Sequence, residues 1–168
     1  MLYIEQPGGV GWSTCDPNAG ECVFTDQSSA DEAIIALVNW FTKYPDFQTH
    51  DLYVSGESYG GIYVPFTSQA MMKYNAKHAN FFNLKGFIVG NGVTNWDYDT
   101  TPAFVKMGFW HGLYDYDLKL SIEKNNCNFS NFNPNPLSDD CNNDFNRFNE
   151  LTQNINVYDV FRKCYTNG

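Results

Sequence analysis

One serine in this sequence lies between two glycines at a spacing that suits nucleophilic chemistry. Gly56-x-Ser58-x-Gly60 is the pattern of a nucleophile elbow, a tight turn from a strand into a helix that holds the serine hydroxyl clear of the sheet. We expect a bulky side chain at 56 or 60 to collide with the neighbouring backbone, because the turn brings strand and helix close together. The motif therefore predicts a nucleophile at Ser58.

A serine hydroxyl needs a base that removes its proton as it attacks, and the usual base is a histidine held in position by a carboxylate. In folds with this elbow, the order along the chain is serine, then acid, then histidine. His50 and His78 fall in polar loops, which is typical of surface histidines. His111 follows the elbow with Asp97 and Asp99 in between, so these three residues keep the required order.

The segments on either side of the elbow predict the elements that would position it. Residues 51–55 have the pattern of a short strand, and residues 65–77 carry apolar side chains at helical spacing, with Pro65 suited to the first turn. Residues 84–89 predict a second strand. This alternation indicates an α/β fold with a parallel sheet and right-handed crossovers.

A further helix is predicted over residues 25–45, before the elbow strand. Its apolar side chains recur on one face, Ser29 and Glu32 match a capping box at its start, and Pro45 ends it. We expect this face to belong to the core and assign it no chemistry.

Composition excludes several classes of protein. Hydrophobic residues make up 43% and aromatic residues 17% of the 168 positions, which indicates a folded protein with a substantial core. The net charge of −9 repels phosphate backbones and argues against nucleic-acid binding. No apolar run approaches the roughly 18 residues of a membrane span, and no histidine or cysteine group has metal-ligand spacing. The sequence therefore predicts neither a membrane span nor a metal or other cofactor.

Five cysteines predict disulfide bonds. Cys15 and Cys22 bracket a turn-rich segment, and Cys127 and Cys141 bracket another, so we expect each pair to bond locally. Cys164 is then left without a partner within the chain.

The cellular setting follows from two kinds of signal. Asn128-Phe129-Ser130 is an acceptor motif for N-linked glycosylation, and together with the disulfides it predicts the secretory pathway, with a vacuole, a lysosome or the extracellular space as destination. No signal peptide opens the sequence, and residues 1–5 instead read as a buried strand. We therefore expect the chain to be a fragment of a longer protein.

A longer string around the elbow carries a family resemblance. Gly56-Glu57-Ser58-Tyr59-Gly60-Gly61-x-Tyr63-Val64-Pro65 resembles the active-serine signature of the serine carboxypeptidases, α/β-hydrolases that remove C-terminal residues from peptides. Other segments agree with the family in order along the chain, and together they cover most of residues 1–112: residues 3–13, Asp26 with residues 30–31, residues 41–45 and residues 90–94.

The resemblance implies a division of the chain. Residues 1–112 would form a partial α/β-hydrolase core, a parallel sheet with flanking helices that carries the elbow. Residues 113–168 would begin a mainly helical cap insertion with two short helices, whose apolar residues are Leu118 and Ile122, and Phe145, Phe148, Leu151 and Ile155. The loop over residues 7–11 would either line the substrate cleft or form a plain surface loop.

The resemblance also implies roles at the site. Ser58 would be the nucleophile, and the backbone N–H of Tyr59 would stabilise the oxyanion. Glu57 would share a proton with an upstream carboxylate, because two close carboxylates cannot both ionise cheaply, and this pair would bind the terminal carboxylate of the peptide. An acidic pH optimum would follow. The family's acid and histidine follow the cap, so we expect them beyond Gly168 and expect the isolated chain to be inactive.

The resemblance thus implies a serine-type carboxypeptidase that acts on peptides or proteins with a free C-terminus through an acyl-enzyme. One alternative within the same fold is an acyltransferase or an esterase, since these share the elbow and differ in what attacks the acyl group. Another is a catalytically inactive relic or binding protein that keeps the fold.

Overall fold

The computed structural model describes residues 1–16, 18, 22–130 and 135–163. The chain forms two compact units, Met1–Val93 and Thr94–Gly168. In the first unit the elements are helix α1 (Asp26–Lys43), a short 3-10 helix (Pro45–Phe47), strand β1 (Leu52–Glu57), helix α2 (Gly60–Asn75) and strand β2 (Leu84–Gly90). In the second they are helices α3 (Trp96–Asp99), α4 (Thr101–Trp110), α5 (Tyr116–Lys124) and α6 (Asp139–Thr152).

The two strands confirm the parallel sheet. β1 pairs with β2 in parallel, with Leu52 opposite Leu84 and Glu57 opposite Gly90. A parallel pair needs a crossover, and α2 supplies it. One face of the sheet packs on the helices through Leu52 and Val54, whereas Tyr53 on the opposite face is 54% exposed.

The core of the first unit lies between the sheet and its two helices. It is built from apolar side chains of α1 and α2 and of the loop before β2, namely Ala30, Ile34, Leu37, Phe41, Ala70, Met71 and Phe82. Phe41 meets Phe82 at a ring distance of 5.9 Å in an edge-to-face arrangement, which aromatic pairs favour. This core holds β1 against α2 and thereby fixes the turn between them.

Helix α1 confirms the predicted helix, but its cap lies elsewhere. The Thr25 hydroxyl accepts a hydrogen bond from the Ser28 backbone N–H at 3.1 Å, and the Ser28 hydroxyl accepts from the Thr25 N–H at 2.8 Å. The predicted box of Ser29 and Glu32 is wrong, because Ser29 already belongs to the helix and is buried. A start at Asp26 also places a carboxylate in the first turn, where the helix dipole favours it.

Two further expectations about the first unit are wrong. Helix α2 begins at Gly60, so Pro65 lies inside the helix rather than in its first turn. Pro65 has no N–H, so the helix lacks one backbone hydrogen bond there, and the contacts of α2 with the sheet offset this loss.

Residues 1–5 form no strand, and Tyr3 is 83% exposed. A strand needs a hydrogen-bonded neighbour, and the described residues provide none beside this segment.

The second unit is helical, as predicted for the end of the chain. Its core contains Val105 from α4, Leu118 from α5 and Phe148 from α6, together with Phe129 and Cys141. Leu151 of α6 is exposed, and Ile155 lies beyond the end of this helix, so neither joins the buried stripe predicted for it.

The division between the units falls after Val93, before the predicted boundary at residue 112. The reason is that Val105 of α4 packs in the same core as Leu118 and Phe148. The predicted boundary concerns the place where a hydrolase core gives way to a cap, and it stays a prediction.

Both predicted disulfides are present. Cys15 is bonded to Cys22 with Cα atoms 6.0 Å apart, and Cys127 is bonded to Cys141 with Cα atoms 5.4 Å apart. Cys164 lies outside the described residues. Among the described helices, none is both long and apolar enough to cross a membrane.

Candidate active site

Ser58 occupies the bend between β1 and α2, with a φ of 59° in the left-handed region. This conformation is unfavourable for a residue with a side chain and persists only where surrounding contacts hold it. Three backbone hydrogen bonds do so here. The Ser58 N–H donates to the Gly90 carbonyl at 3.1 Å, and the Ser58 carbonyl accepts from the N–H groups of Gly61 at 3.0 Å and Val93 at 2.9 Å. The backbone thus has the sharp turn that the elbow motif predicts.

The glycines around Ser58 differ in how much space they leave. A Cβ on Gly56 would lie 2.9 Å from Val64 Cγ2 and 3.3 Å from Gly60 Cα, which confirms the expected collision at this position. A Cβ on Gly60 would lie 3.9 Å from Val64 Cγ2, an ordinary contact, so a methyl group fits at this position and the collision expected of a bulky side chain there stays a prediction. Gly61 is the second tight position, because its Cβ would overlap the backbone of Val93.

Ser58 lines a large cavity. Ser58 is exposed, and its hydroxyl makes no hydrogen bond with any residue that the structure describes. The cavity has a volume of about 800 Å³ and lies wholly within the first unit. Its lining includes residues of the elbow, of the N-terminal segment and of the segment before β1, among them Glu57, Ser58, Tyr59, Tyr63, Tyr3, Gln6 and His50. An exposed residue in the lining of a cavity of this size is accessible to a ligand.

Tyr59 follows the serine and caps α2. Its backbone is helical, with φ −62° and ψ −12°. Amides at a helix N-terminus point away from the helix and favour negative charge, which suits the predicted oxyanion role of the Tyr59 N–H. The Tyr59 hydroxyl donates to the Asp26 carboxylate at 3.1 Å, and its ring lies 4.8 Å from that of Tyr63. Desolvation raises the pKa of the Tyr59 phenol, and the hydrogen bond to Asp26 and the charge of that carboxylate raise it further.

Glu57 is the last residue of β1 and precedes the serine directly. Its side chain is exposed and lines the same cavity as Ser58. It makes no ion pair or side-chain hydrogen bond within the described residues. The carboxylate is therefore positioned to meet a ligand in the cavity.

The three histidines contact their own surroundings rather than Ser58. His50 lines the cavity, but its ring packs edge-on against Phe47 at 5.6 Å. His78 stacks on Tyr74 at 3.9 Å. His111 belongs to the second unit, where its Nδ1 lies 2.9 Å from the Met107 carbonyl one turn earlier.

The two aspartates that precede His111 are engaged in local structure. Asp97 accepts a short hydrogen bond from the buried Ser130 hydroxyl. Asp99 accepts from the backbone N–H groups of Thr94 at 2.8 Å and Asn95 at 2.7 Å, and these bonds hold the pKa of Asp99 below its ordinary value. Neither carboxylate is hydrogen-bonded to His111, so the order that these residues share in sequence does not produce a triad among the described residues.

The loop over residues 7–11 closes on itself. The Gly9 N–H donates to the Ser13 carbonyl at 2.9 Å, and the Glu5 carboxylate accepts a short hydrogen bond from the Trp12 N–H. The cavity lining includes Gln6 but not the loop, which supports the surface-loop interpretation of this segment. Within the described residues, no histidine, cysteine or carboxylate cluster could hold a metal ion.

Two contributors to the site were not predicted. Val93 accommodates Gly61 and bonds the Ser58 carbonyl, and Asp26 accepts the Tyr59 hydroxyl from another helix. The turn-forming Gly90-Asn91-Gly92 run could have indicated that the chain folds back at Val93. No local signal connects Asp26 with Tyr59, because 33 residues separate them.

Comparison with known proteins identifies a family. The sequence matches the family Peptidase_S10, described as serine carboxypeptidase, over residues 1–168. Serine carboxypeptidase-like 41 from Arabidopsis thaliana is 35% identical over 98% of this chain and 36% of its own length. Serine carboxypeptidase-like 26 from Oryza sativa subsp. japonica is 34% identical over 100% of this chain and 34% of its own length. The chain thus spans about a third of the length of these curated relatives.

A solved structure shows the same fold. Kex1(delta)P, a prohormone-processing carboxypeptidase from Saccharomyces cerevisiae, superposes with a TM-score of 0.65 and 23% sequence identity, over 89% of this chain and 35% of that chain. This likeness supports the α/β-hydrolase architecture around the elbow.

Proposed function

This chain belongs to the serine carboxypeptidase family, and on that premise we propose that it supplies the nucleophile of a serine-type carboxypeptidase. The observation that carries the proposal is the conformation of Ser58, whose backbone is held in the left-handed region at a position that lines the cavity. A serine that only filled a turn would not need a conformation this costly when glycine would adopt it freely.

In the proposed reaction, the Ser58 Oγ attacks the carbonyl carbon of the last peptide bond while a base takes its proton. The carbonyl oxygen becomes an oxyanion, which the Tyr59 N–H at the start of α2 stabilises. The carbon–nitrogen bond then breaks, the C-terminal residue leaves with a proton from the base, and an acyl-Ser58 ester remains. Water cleaves this ester and restores the hydroxyl.

A catalytic triad also needs a base for Ser58 and a carboxylate that positions this base. None of the three histidines is hydrogen-bonded to Ser58 within the described residues, and the chain spans about a third of the length of its relatives. We therefore expect the base and its carboxylate to correspond to residues in the part of the relatives with which this chain does not align.

Glu57 is proposed to bind the terminal carboxylate of the substrate. It lines the same cavity as Ser58 and precedes it directly, so a substrate carbonyl at Ser58 would bring the terminal carboxylate near Glu57. In this role Glu57 shares a proton with a second, upstream carboxylate of the protein, because two close carboxylates cannot both ionise cheaply, and substrate binding weakens as that proton is lost. We expect activity to fall between mildly acidic and neutral pH, which suits a vacuolar, lysosomal or extracellular site. The two disulfides agree with such an oxidising compartment.

The full-length protein tests this proposal. We expect it to release C-terminal residues from blocked dipeptides and to react with a fluorophosphonate probe at Ser58. The Ser58→Ala variant should lose both, with kcat lower by a factor on the order of 10⁴ to 10⁶. Ser55→Ala is the matched control, because Ser55 is an exposed serine of β1 that lines the same cavity. Unchanged labelling of Ser58→Ala, or the same loss in Ser55→Ala, would contradict the assignment.

A further inference from the structure

An asparagine followed by a glycine lies in the turn that supports Ser58. The turn leaves β2 at Gly90 and reaches Val93 through Asn91 and Gly92. Its two ends hold the candidate nucleophile, because the Gly90 carbonyl accepts the Ser58 N–H at 3.1 Å and the Val93 N–H donates to the Ser58 carbonyl at 2.9 Å. Asn91 and Gly92 alone connect these two anchors of Ser58.

Backbone conformation and packing favour this pair of residues in the turn. Asn91 has a φ of 41°, in the left-handed region, which asparagine adopts more readily than most residues with a side chain. Gly92 is needed for space, since a Cβ at this position would overlap Val89 Cγ1 and lie 3.0 Å from Gly61 Cα. The contact between the turn and α2 therefore keeps a glycine directly after Asn91.

An asparagine that precedes a glycine is chemically labile. The backbone nitrogen of the following residue can attack the carbonyl carbon of the asparagine side chain, and a glycine permits this approach because it has no Cβ. Asn91 is exposed, and within the described residues neither its side-chain amide nor the Gly92 N–H makes a hydrogen bond. Neither reacting group is thus held in place by such a bond. A second Asn-Gly dipeptide, residues 167–168, lies outside the described residues.

We propose that Asn91 deamidates spontaneously and that its isoaspartyl product releases Ser58 from the turn. The Gly92 nitrogen forms a bond with Cγ of Asn91, the bond between Cγ and Nδ2 breaks, and ammonia leaves with the proton of the Gly92 N–H. Water then opens the succinimide ring. Hydrolysis at Cγ gives aspartate, whereas hydrolysis at the backbone carbonyl of residue 91 gives isoaspartate, in which the main chain runs through Cβ and Cγ.

Isoaspartate lengthens the main chain between the two anchors of Ser58. The longer turn cannot keep both hydrogen bonds to Ser58 at their present distances while Gly92 stays packed on Gly61. Ser58 has an unfavourable φ of 59° that such contacts maintain, so their loss lets its backbone relax. The expected loss of activity rests on the proposed function, whereas the deamidation and the loosening of the turn do not.

The test follows the full-length protein during prolonged incubation at physiological temperature and mildly alkaline pH. Peptide mapping by mass spectrometry and an isoaspartate methyltransferase assay measure the modification of residue 91. Asn80 and Asn126 are internal references, because both are exposed with φ values of 57° and 49° but precede Phe81 and Cys127 instead of a glycine. We expect modification at residue 91 to exceed that at both references several-fold.

Hydrogen exchange reports on the turn without an enzymatic assay. We expect the Ser58 and Val93 amides to exchange several-fold faster in incubated wild type than in incubated Asn91→Gly. This variant adopts the positive φ freely and has no side-chain amide to lose. Fluorophosphonate labelling of Ser58 should fall in proportion to the isoaspartyl fraction and stay constant in Asn91→Gly. Fresh Asn91→Asp, which adds the charge without lengthening the main chain, should label like the wild type.

Each outcome bears on a separate step. Modification at residue 91 that is no faster than at Asn80 and Asn126 would overturn the proposal altogether. Isoaspartate at residue 91 with unchanged exchange of the Ser58 and Val93 amides would overturn the release of Ser58, as would loss of labelling in fresh Asn91→Asp. Faster exchange in a protein that never labels at Ser58 would support this inference and contradict the proposed function.

Discussion

The hydroxyl of Tyr59 donates a hydrogen bond to the carboxylate of Asp26 at 3.1 Å. This contact joins the residue after the candidate nucleophile to the first residue of α1. This hydrogen bond restricts the position of the Tyr59 ring. Because the ring is attached to the Tyr59 backbone, it also restricts the direction of the Tyr59 N–H that is proposed to stabilise the oxyanion. α1 therefore supports the site although it carries no proposed chemical group.

Removal of either partner of this contact should slow acylation. We expect Asp26→Ala and Tyr59→Phe each to lower kcat/KM about fivefold, since such a partly exposed hydrogen bond contributes about 1 kcal/mol. The double variant should be no slower than the slower single variant, because both changes remove the same interaction. Asp31→Ala, a change at another acidic residue of α1, is the control and should leave the rate unaltered. Additive losses in the double variant would show that Asp26 and Tyr59 act independently.

The two neighbouring glycines of α2 should respond oppositely to alanine. Gly61→Ala should destabilise the protein by about 1–3 kcal/mol, because the new Cβ overlaps the backbone of Val93 and forces the 90–93 turn away from Ser58. Gly60→Ala should be neutral or stabilising by up to about 1 kcal/mol, because its Cβ meets only Val64 Cγ2 at 3.9 Å and alanine favours a helix. Denaturant unfolding measures both values. Equal effects at the two positions would contradict the geometry of the turn.

The ionisation of Asp99 should make the stability of the second unit depend on pH. Its pKa is lowered by the Thr94 and Asn95 N–H groups, so the ionised carboxylate is favoured in the folded state. The stabilisation is present above the unfolded pKa of about 3.9 and is lost as the pH falls through the lower folded pKa. Asp99→Asn should therefore lower the melting temperature at pH 5–7, and the difference from wild type should vanish in strong acid. Asp117→Asn, at an exposed position of α5, is the control. A difference in melting temperature that stayed the same from pH 7 down to strong acid would exclude the titration of Asp99 as its cause.

The disulfide of the second unit should contribute measurably to stability. Cys127 and Cys141 are 14 residues apart, and closure of a loop of this length is associated with about 3 kcal/mol. We expect the Cys127→Ser, Cys141→Ser double variant to lose about that much in unfolding free energy. The disulfide between Cys15 and Cys22 spans only 7 residues, so the Cys15→Ser, Cys22→Ser double variant should lose less. A larger loss at the shorter loop would contradict this loop-length argument.

Much of the first unit could be predicted from local patterns. The alternation of strand and helix signals located β1, β2 and α1 to within one or two residues, because each pattern records which side chains are buried. The start of α2 was placed five residues too late. Pro65 is commonest in the first turn of a helix, but the core contacts of Val64, Ala70 and Met71 stabilise a helix that begins earlier.

The positions of side chains relative to Ser58 were harder to predict from the sequence. His111 follows Ser58 with two aspartates in between, yet Asp97 and Asp99 are bonded to Ser130 and to Thr94 and Asn95. Order along the chain does not specify distance, so a correct order of residue types was insufficient to identify a triad.

The sequence by itself determined which residue types lie at the elbow. Glycines at 56 and 61 permit the close approach around Ser58, and the spacing of polar and apolar residues determines which segments become strands and helices. Only the tertiary structure decided which distant groups support that turn: Gly90 at the end of β2, Val93 shortly after it, and Asp26 on α1. The physical reason is that local pattern reports burial and backbone conformation, whereas hydrogen bonds between distant segments depend on how the whole unit packs.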